Sequence, residues 1–489
     1  AVALGAAMAL LLALADAPGR RVIAFLFVLS TMMAPQVVAL AFLSMTGPAS
    51  PLLGALGVAP EPGSPNPLLG RRGVIALLAL HHAPLVFVTV RAGLRHLPRD
   101  LLEAARAAGA TAPRIVWDVV APLMRPYLTA AAALVFVACV GNFGIPAMLG
   151  MGHGYQTLPT LIYQTLASNG PQVLAEVAAL SLAVAGLAAF GLGLAALVSR
   201  ETAPLRRGDS AQAFFRLGRG RLPVAVFLWL VVLIALVAPL AALVAASLSP
   251  AYGVALSSDT ITLENFVEVV ARQDVTARAL RNSFLYAGSA ALALGLAATP
   301  VAHFLARRRG ALPGVALTLV ELPYALPGVT LAIAVILAFL KPLPVIEVSL
   351  YATAWIIVVA YLARFAILAL RAPMAAIRLI PVDLEEAAQA AGAGSARRLR
   401  DIVAPLAAPA SVAGALLVFL TAFNELTVSA LLWSAGTETM GVVLYNLEDG
   451  GFATLAAAVG VISTLVVALV MLALDRLGRR APEGVIPWR

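Results

Sequence analysis

Covalent chemistry needs nucleophiles, bases or metal ligands brought together, and this sequence supplies them singly. It has one cysteine, Cys139, and one lysine, Lys341, which is followed by Pro342. A lone cysteine closes no internal disulfide and builds no multi-cysteine metal centre. A phosphate-binding loop of the form GxxxxGK[ST] needs a lysine before serine or threonine, so this chain carries none. ATP and Mg2+, if they drive the protein, are therefore held by another polypeptide, and no cofactor is expected in this chain. The histidines are His81, His82, His96, His153 and His303. The adjacent pair has no third ligand at zinc spacing, and all five read as structural. No catalytic residue and no metal ligand is assigned, which disfavours an intramembrane enzyme.

Polar residues inside apolar runs are the remaining candidates, because burying them in lipid is costly and usually tied to function. Asn142, Asn424 and Glu425 lie in such runs. The two asparagines occupy equivalent places and read either as the lining of a translocation path or as interhelical hydrogen bonds. Glu425 can carry charge, which points to a path or gate. Glu321 is followed by Leu322 and Pro323, and proline there suggests a broken helix whose freed carbonyls need partners. Pro35 and Pro327 read similarly.

The elements that must hold these residues follow from composition. Of 489 residues, 62% are hydrophobic and 12% charged, against roughly 45–50% and about 25% in soluble domains. Apolar runs of about 20 residues, enough to cross a roughly 30 Å hydrocarbon core, recur along the chain. An ordinary soluble enzyme is excluded, and the fold class is an all-α polytopic membrane protein in contact with lipid. The net charge is +9, but the arginines sit between apolar runs, where they report topology rather than nucleic-acid binding.

Spans are expected near residues 1–15, 22–45, 73–90, 127–149 and 174–198, then 223–248, 284–305, 314–340, 349–370, 411–433 and 455–474. The first run is too short for a normal span and reads as the end of one, without the basic start or cleavage site of a signal peptide. A polar, arginine-rich connector divides the chain into residues 1–198, a linker at 199–222 and residues 223–489. If the connector faces the cytoplasm, only Arg71, Arg72, Arg272, Arg278, Arg281 and Lys341, 6 of 33 basic residues, fall on the other side. That asymmetry places the connector and the C-terminus in the cytoplasm. The run from Asp475 to Arg480 reads as a positive stop after the last span.

An internal repeat organises the whole chain. Residues 100–126 read DLLEAARAAGATAPRIVWDVVAPLMRP and residues 383–409 read DLEEAAQAAGAGSARRLRDIVAPLAAP, with 16 of 27 positions identical. Arg95 and Pro98 match Arg378 and Pro381; with a one-residue slip, Asn142 matches Asn424 and Tyr163 matches Tyr445. The halves are one unit used twice in parallel, which implies a pseudo-two-fold axis along the membrane normal. Each repeat predicts a helix with Asp100 or Asp383 in its first turn, where a negative charge is favoured, and a stop at Gly109 or Gly392. A second helix begins near Thr111 or Ser395 and carries Arg114 with Asp118, or Arg397 with Asp401, at i and i+4.

The segments EAARAAGA at 103–110 and EAAQAAGA at 386–393, each followed by a helix ending in APL, resemble the EAA loop of binding-protein-dependent ABC importer permeases. The resemblance implies that Glu103, Ala104, Ala105 and Gly109, with Glu386, Ala387, Ala388 and Gly392, couple the chain to a cytoplasmic ATPase. It further implies two copies of that ATP-binding subunit, a periplasmic or extracellular substrate-binding protein, alternating access and a bacterial cytoplasmic (inner) membrane. The family's halves are usually separate chains; here they look fused, as in ferric-iron and thiamine permeases, for which six spans per half are expected. Residues 141–150 and 423–451 look most similar to the ferric-iron branch, with thiamine, phosphonate and polyamine importers as alternatives. An ion-gradient-driven secondary transporter is the rival class, and only Glu425 and Glu321 offer it a protonatable relay.

Overall fold

The computed structural model describes residues 1–61, 63–95, 97–168, 172–199, 213–308, 310–342 and 347–477. His96, most of the connector and the tail residues Gly478, Arg479 and Arg480 lie outside them. Apart from an isolated bridge between Ala15 and Phe215, the described residues are helices and loops.

The first half runs α1 (Val2–Leu14), α2 (Arg20–Met32), α3 (Pro35–Thr46), α4 (Pro51–Ala55), α5 (Arg71–Leu94), α6 (Arg99–Ala107), α7 (Ala112–Val140), α8 (Gly144–Leu149), α9 (Leu158–Leu166) and α10 (Val173–Ser199). The second runs α11 (Gly218–Ser247), α12 (Asp274–Arg307), α13 (Ala311–Ala325), α14 (Gly328–Phe339), α15 (Ala354–Leu379), α16 (Val382–Ala390), α17 (Ser395–Phe423), α18 (Ser429–Leu432), α19 (Met440–Asp449) and α20 (Ala453–Leu477). Among the described residues, nine helices are long and apolar enough to cross a membrane, and α13 with α14 forms a further, bent pair.

Four predicted spans differ in detail from what hydropathy suggests. The run at 22–45 is broken: α2 stops at Met32 and α3 starts at Pro35, because a proline without an N–H cannot continue the ladder but is suited to a first helical turn. Its counterpart in the second half breaks between Ala325 and Gly328 with a bend of 109°. The runs at 127–149 and 411–433 are each two elements. In both, the spanning helix begins earlier and ends at Val140 or Phe423, and the apolar residues beyond form the short helices α8 and α18. Hydropathy does not register such a turn, because both sides of it are apolar.

Local sequence explains a shared irregularity. α7 and α17 both widen into a π turn, at Val116–Val120 and Leu399–Val403, with Ala121 and Ala404 bonding back five residues. Pro122 and Pro405 follow at once, and a proline ring clashes with the carbonyl four residues back, which the wider turn moves aside.

Small residues let the helices approach closely, the usual basis of helix association in lipid. A Cβ on Gly5 would lie 2.3 Å from the Ala83 carbonyl, joining α1 to α5, and one on Gly414 would lie 2.7 Å from the Ala369 carbonyl, joining α17 to α15. The halves interlock through the broken spans. α3 packs against α11, α19 and α20, while α14 packs against α10, where the Thr330 hydroxyl donates to the Ser181 carbonyl at 3.1 Å.

Candidate functional site

At the connector end, α6 and α16 cover equivalent residues of the two halves and ride on the ends of α7 and α17. Glu103, Ala104 and Gly109 are exposed and Ala105 half-buried; Glu386, Ala387 and Gly392 are exposed and Ala388 half-buried. Gly109 and Gly392 take left-handed φ of +82° and +84°, as the predicted helix stops require, and nothing lies within 4 Å of a Cβ added at either. Their glycine requirement is therefore conformational and not one of close packing within the chain. The predicted i, i+4 pairs form at 3.3 Å (Arg114 with Asp118) and 3.4 Å (Arg397 with Asp401), and Glu103 pairs with Arg99 at 2.8 Å.

The two helices are anchored differently. The residue before the first EAA is Leu102, fully buried in the apolar core, and the one before the second is Glu385, 7% exposed. Glu385 accepts from Arg307 Nε at 2.9 Å and lies 2.8 Å from His303 Nε2, both on α12, while Arg307 also donates to the Ile380 carbonyl at 2.7 Å. Burial alone would raise the Glu385 pKa, but hydrogen bonds and charge from His303 and Arg307 hold it below the usual carboxylate value. The end of the connector provides an extra anchor for α6, where Arg106 stacks over Phe214, 4.0 Å from the ring centroid, and is itself held to the loop after α1, where Asp16 accepts from the Leu217 N–H at 2.9 Å. Beside α6, Trp117 is 75% exposed, a feature visible as a letter in the repeat but not as an exposed side chain.

Deeper in the bundle, the ends of α7 and α17 meet the helix breaks of the opposite half. Asn424 donates to the Met32 carbonyl at 3.0 Å, at the break between α2 and α3. Gly141, in the matching place on α7, lies so close that a Cβ there would sit 3.0 Å from Pro327, at the break between α13 and α14. The next residues cap the short helices. The Asn142 side chain accepts from the Ile145 N–H at 3.1 Å; the Glu425 carboxylate accepts from Val428 at 2.8 Å and from Ser429 at 3.1 Å. The structure thus pairs Asn142 with Glu425 and Gly141 with Asn424, correcting the one-residue slip by which the two asparagines are matched in sequence. The slip falls later, in the loop between each short helix and α9 or α19. Asn142 and Glu425 are both 8% exposed, and the Glu425 carboxylate ties down the N–H groups at the start of α18. Glu321 is not brought to this cluster; it lies on an exposed flank of α13.

Sequence reasoning missed Arg364. It counted with the loop arginines, yet it sits midway along α15, with Nη1 buried and unpartnered. Gly328 makes room for it: a Cβ there would lie 2.7 Å from Nη1 and 2.8 Å from Thr427. Arg364 is within electrostatic reach of Glu425. The aligned position in the first half is His81, 6% exposed and with Nδ1 also unpartnered.

Beyond these breaks, away from the connector, Tyr163 of α9 and Tyr445 of α19 meet with ring centroids 6.0 Å apart, and Phe143 packs on both at 5.1 and 5.9 Å. Leu426, Ala430 and Val442 complete a small apolar cluster at this junction of the halves.

The sequence matches the family of binding-protein-dependent transport system inner membrane components over residues 1–203 and 291–481. It is 29% identical over 411 residues to a probable ABC transporter permease of Sinorhizobium fredii, covering 81% of this chain and 71% of that one. It is 24% identical over 392 residues to an Fe(3+)-transport system permease of Haemophilus influenzae, covering 76% of this chain and 70% of that one. A putative 2-aminoethylphosphonate transport system permease of Salmonella typhi is 30% identical over 191 residues, 39% of this chain and 66% of that one. With two matched segments, each carrying its exposed EAA helix, the chain belongs to the family of binding-protein-dependent inner membrane components and is an ABC importer permease with both halves fused.

Proposed function

We propose that this permease moves ferric iron, delivered by a periplasmic or extracellular binding protein, across the bacterial cytoplasmic membrane by alternating access. The observation that carries the transport cycle is the pairing of two repeated, exposed helices at the connector end with an aromatic contact between the halves at the other. Two copies of a cytoplasmic ATP-binding subunit would seat α6 and α16, with exposed Trp117 as an aromatic anchor for one of them. ATP binding in those subunits draws α6 and α16 together; the breaks at Pro35 and Pro327 let the halves pivot; the contact of Tyr163 with Tyr445 parts toward the binding protein. Hydrolysis reverses the motion. Asn142, Asn424 and Glu425 hold the breaks and short helices that border the path, and Glu321 on α13 is a further candidate for its lining. The arginine distribution supports a cytoplasmic connector and C-terminus.

Iron as cargo is supported by relatives aligned over most of the chain: besides the Haemophilus influenzae protein, a ferric transport system permease of Actinobacillus pleuropneumoniae is 24% identical over 417 residues, covering 84% of this chain and 59% of that one. The phosphonate reading rests on shorter alignments. Reconstitution of the permease with its ATPase and binding protein, followed by ATP-dependent uptake of labelled ferric iron and of 2-aminoethylphosphonate in parallel, tests the assignment. Uptake of iron alone is expected; uptake of the phosphonate alone would refute it.

A further inference from the structure

A cavity of about 330 Å3 opens between the halves at the end away from the connector, bounded by the ends of α3 and α11, the loop after α8 and the start of α20. Glu448, Asp449 and Tyr445 line it from α19, with Asn66, His153 and Tyr252 on the other walls. Among the described residues, two of these groups have a polar atom without a hydrogen-bond partner. Glu448 Oε2 is shielded from solvent and accepts no hydrogen bond. Tyr445 is 6% exposed, and among the described residues its hydroxyl has no hydrogen-bond partner. A buried carboxylate oxygen without a donor is costly, and a cavity with such a residue in its wall is suited to a ligand that supplies positive charge.

We infer that this cavity is an acceptor site for a small cationic cargo, held by the carboxylates of Glu448 and Asp449 and the phenol of Tyr445 before it passes the contact of Tyr445 with Tyr163. The inference rests on the importer reading above and adds to it the place and chemistry of first contact. Hard oxygen donors suit a hard metal cation. Only two carboxylates converge, and among the described residues no group of three or more His, Cys, Asp or Glu could hold a metal, so the site binds weakly, as a transit site must if its cargo is to leave. The first half has Leu166 and Ala167 at the aligned positions, so the acceptor belongs to the second half alone. His153 after α8 and Tyr252 after α11 are the remaining titratable groups on its walls.

The test is titration of the purified permease in maltoside micelles with terbium(III), a hard trivalent cation whose luminescence is excited through neighbouring tyrosine. Saturable emission is expected. It should weaken by about tenfold or more in Glu448→Gln and further in Glu448→Gln/Asp449→Asn. Tyr445→Phe keeps the ring and removes one donor, so it should weaken binding less than either carboxylate change. Displacement by gallium(III) identifies a metal cargo, and displacement by ethanolammonium identifies an organic amine; either supports a cation site. Terbium binding unchanged in the double variant would overturn the inference. Iron uptake by wild-type permease that binds no terbium would also remove the site while leaving the importer reading intact. Terbium binding without ATP-driven uptake of any cation would uphold the site and sink the ferric-iron reading alone.

Discussion

Tyr163 and Tyr445, equivalent residues of the two halves, meet edge to face with ring centroids 6.0 Å apart and an interplanar angle of 83°. Equivalent residues touch only where a pseudo-symmetry axis passes between them, so this contact marks the axis at the end away from the connector. With Phe143 against both rings, it fills the junction between the halves at that end. Replacing both tyrosines with alanine should let small ions leak through reconstituted vesicles without ATP, whereas the double Phe variant keeps the rings and should stay tight. Vesicles that hold a proton or potassium gradient equally well with either pair would show that the closure lies elsewhere.

Gly109 and Gly392 stand at left-handed φ with open space around them. Valine at either position meets no neighbour and is opposed by the backbone alone, at about 1–2 kcal/mol, while asparagine tolerates this conformation. Gly109→Val and Gly392→Val should distort the turn after α6 or α16 and uncouple ATP hydrolysis from uptake with the membrane fold retained. The asparagine variants should couple nearly as well as wild type. Equal coupling in the valine and wild-type proteins, measured as uptake per ATP hydrolysed, would count against α6 and α16 as the coupling elements.

Glu425 offers a choice between cap and carrier. As the cap of α18, it satisfies the N–H groups of Val428 and Ser429. Glu425→Gln retains one acceptor and should lower stability by about 1 kcal/mol, and Glu425→Leu removes both and should lose about 1–3 kcal/mol per orphaned donor. Thermal unfolding in detergent reads this ranking. If the charge also serves the path of a cation, Glu425→Gln should slow iron uptake well beyond what its small loss of stability accounts for.

Glu385 and Leu102 test how unlike the two exposed helices α6 and α16 are. Glu385→Gln should loosen α16, seen as faster protease cleavage near Gly392, because Arg307 and His303 lose their charged partner. Leu102→Glu should be worse, since the carboxylate would enter an apolar core without any partner. The pH response has a definite sign. Because the folded Glu385 pKa lies below its ordinary value of 4.5, its contribution is present above that value and disappears as pH falls through the folded one. The wild-type protein should lose stability in this acid range, and Glu385→Gln should lack that part of the decline.

Composition and periodicity were enough to establish an all-α membrane protein built from two parallel halves, because lipid admits few other backbones and an ordered 27-residue repeat survives in the letters. The glycine stops at Gly109 and Gly392, the ion pairs of Arg114 and Arg397 and the breaks near Pro35 and Pro327 were legible for the same reason: each depends on residues within one or two turns. The register at Asn142 and Glu425 was not, since two polar residues stand at 424 and 425 and only the capped N–H groups distinguish them. Nor was the burial of Arg364, whose space is made by Gly328 on another helix. The unlike anchoring of Leu102 and Glu385, and the cavity holding Glu448, also depend on helices far away in sequence. Local rules decide where a helix starts and stops; which of its residues face another helix, a cavity or lipid is decided by packing between helices, and that is a property of the tertiary structure.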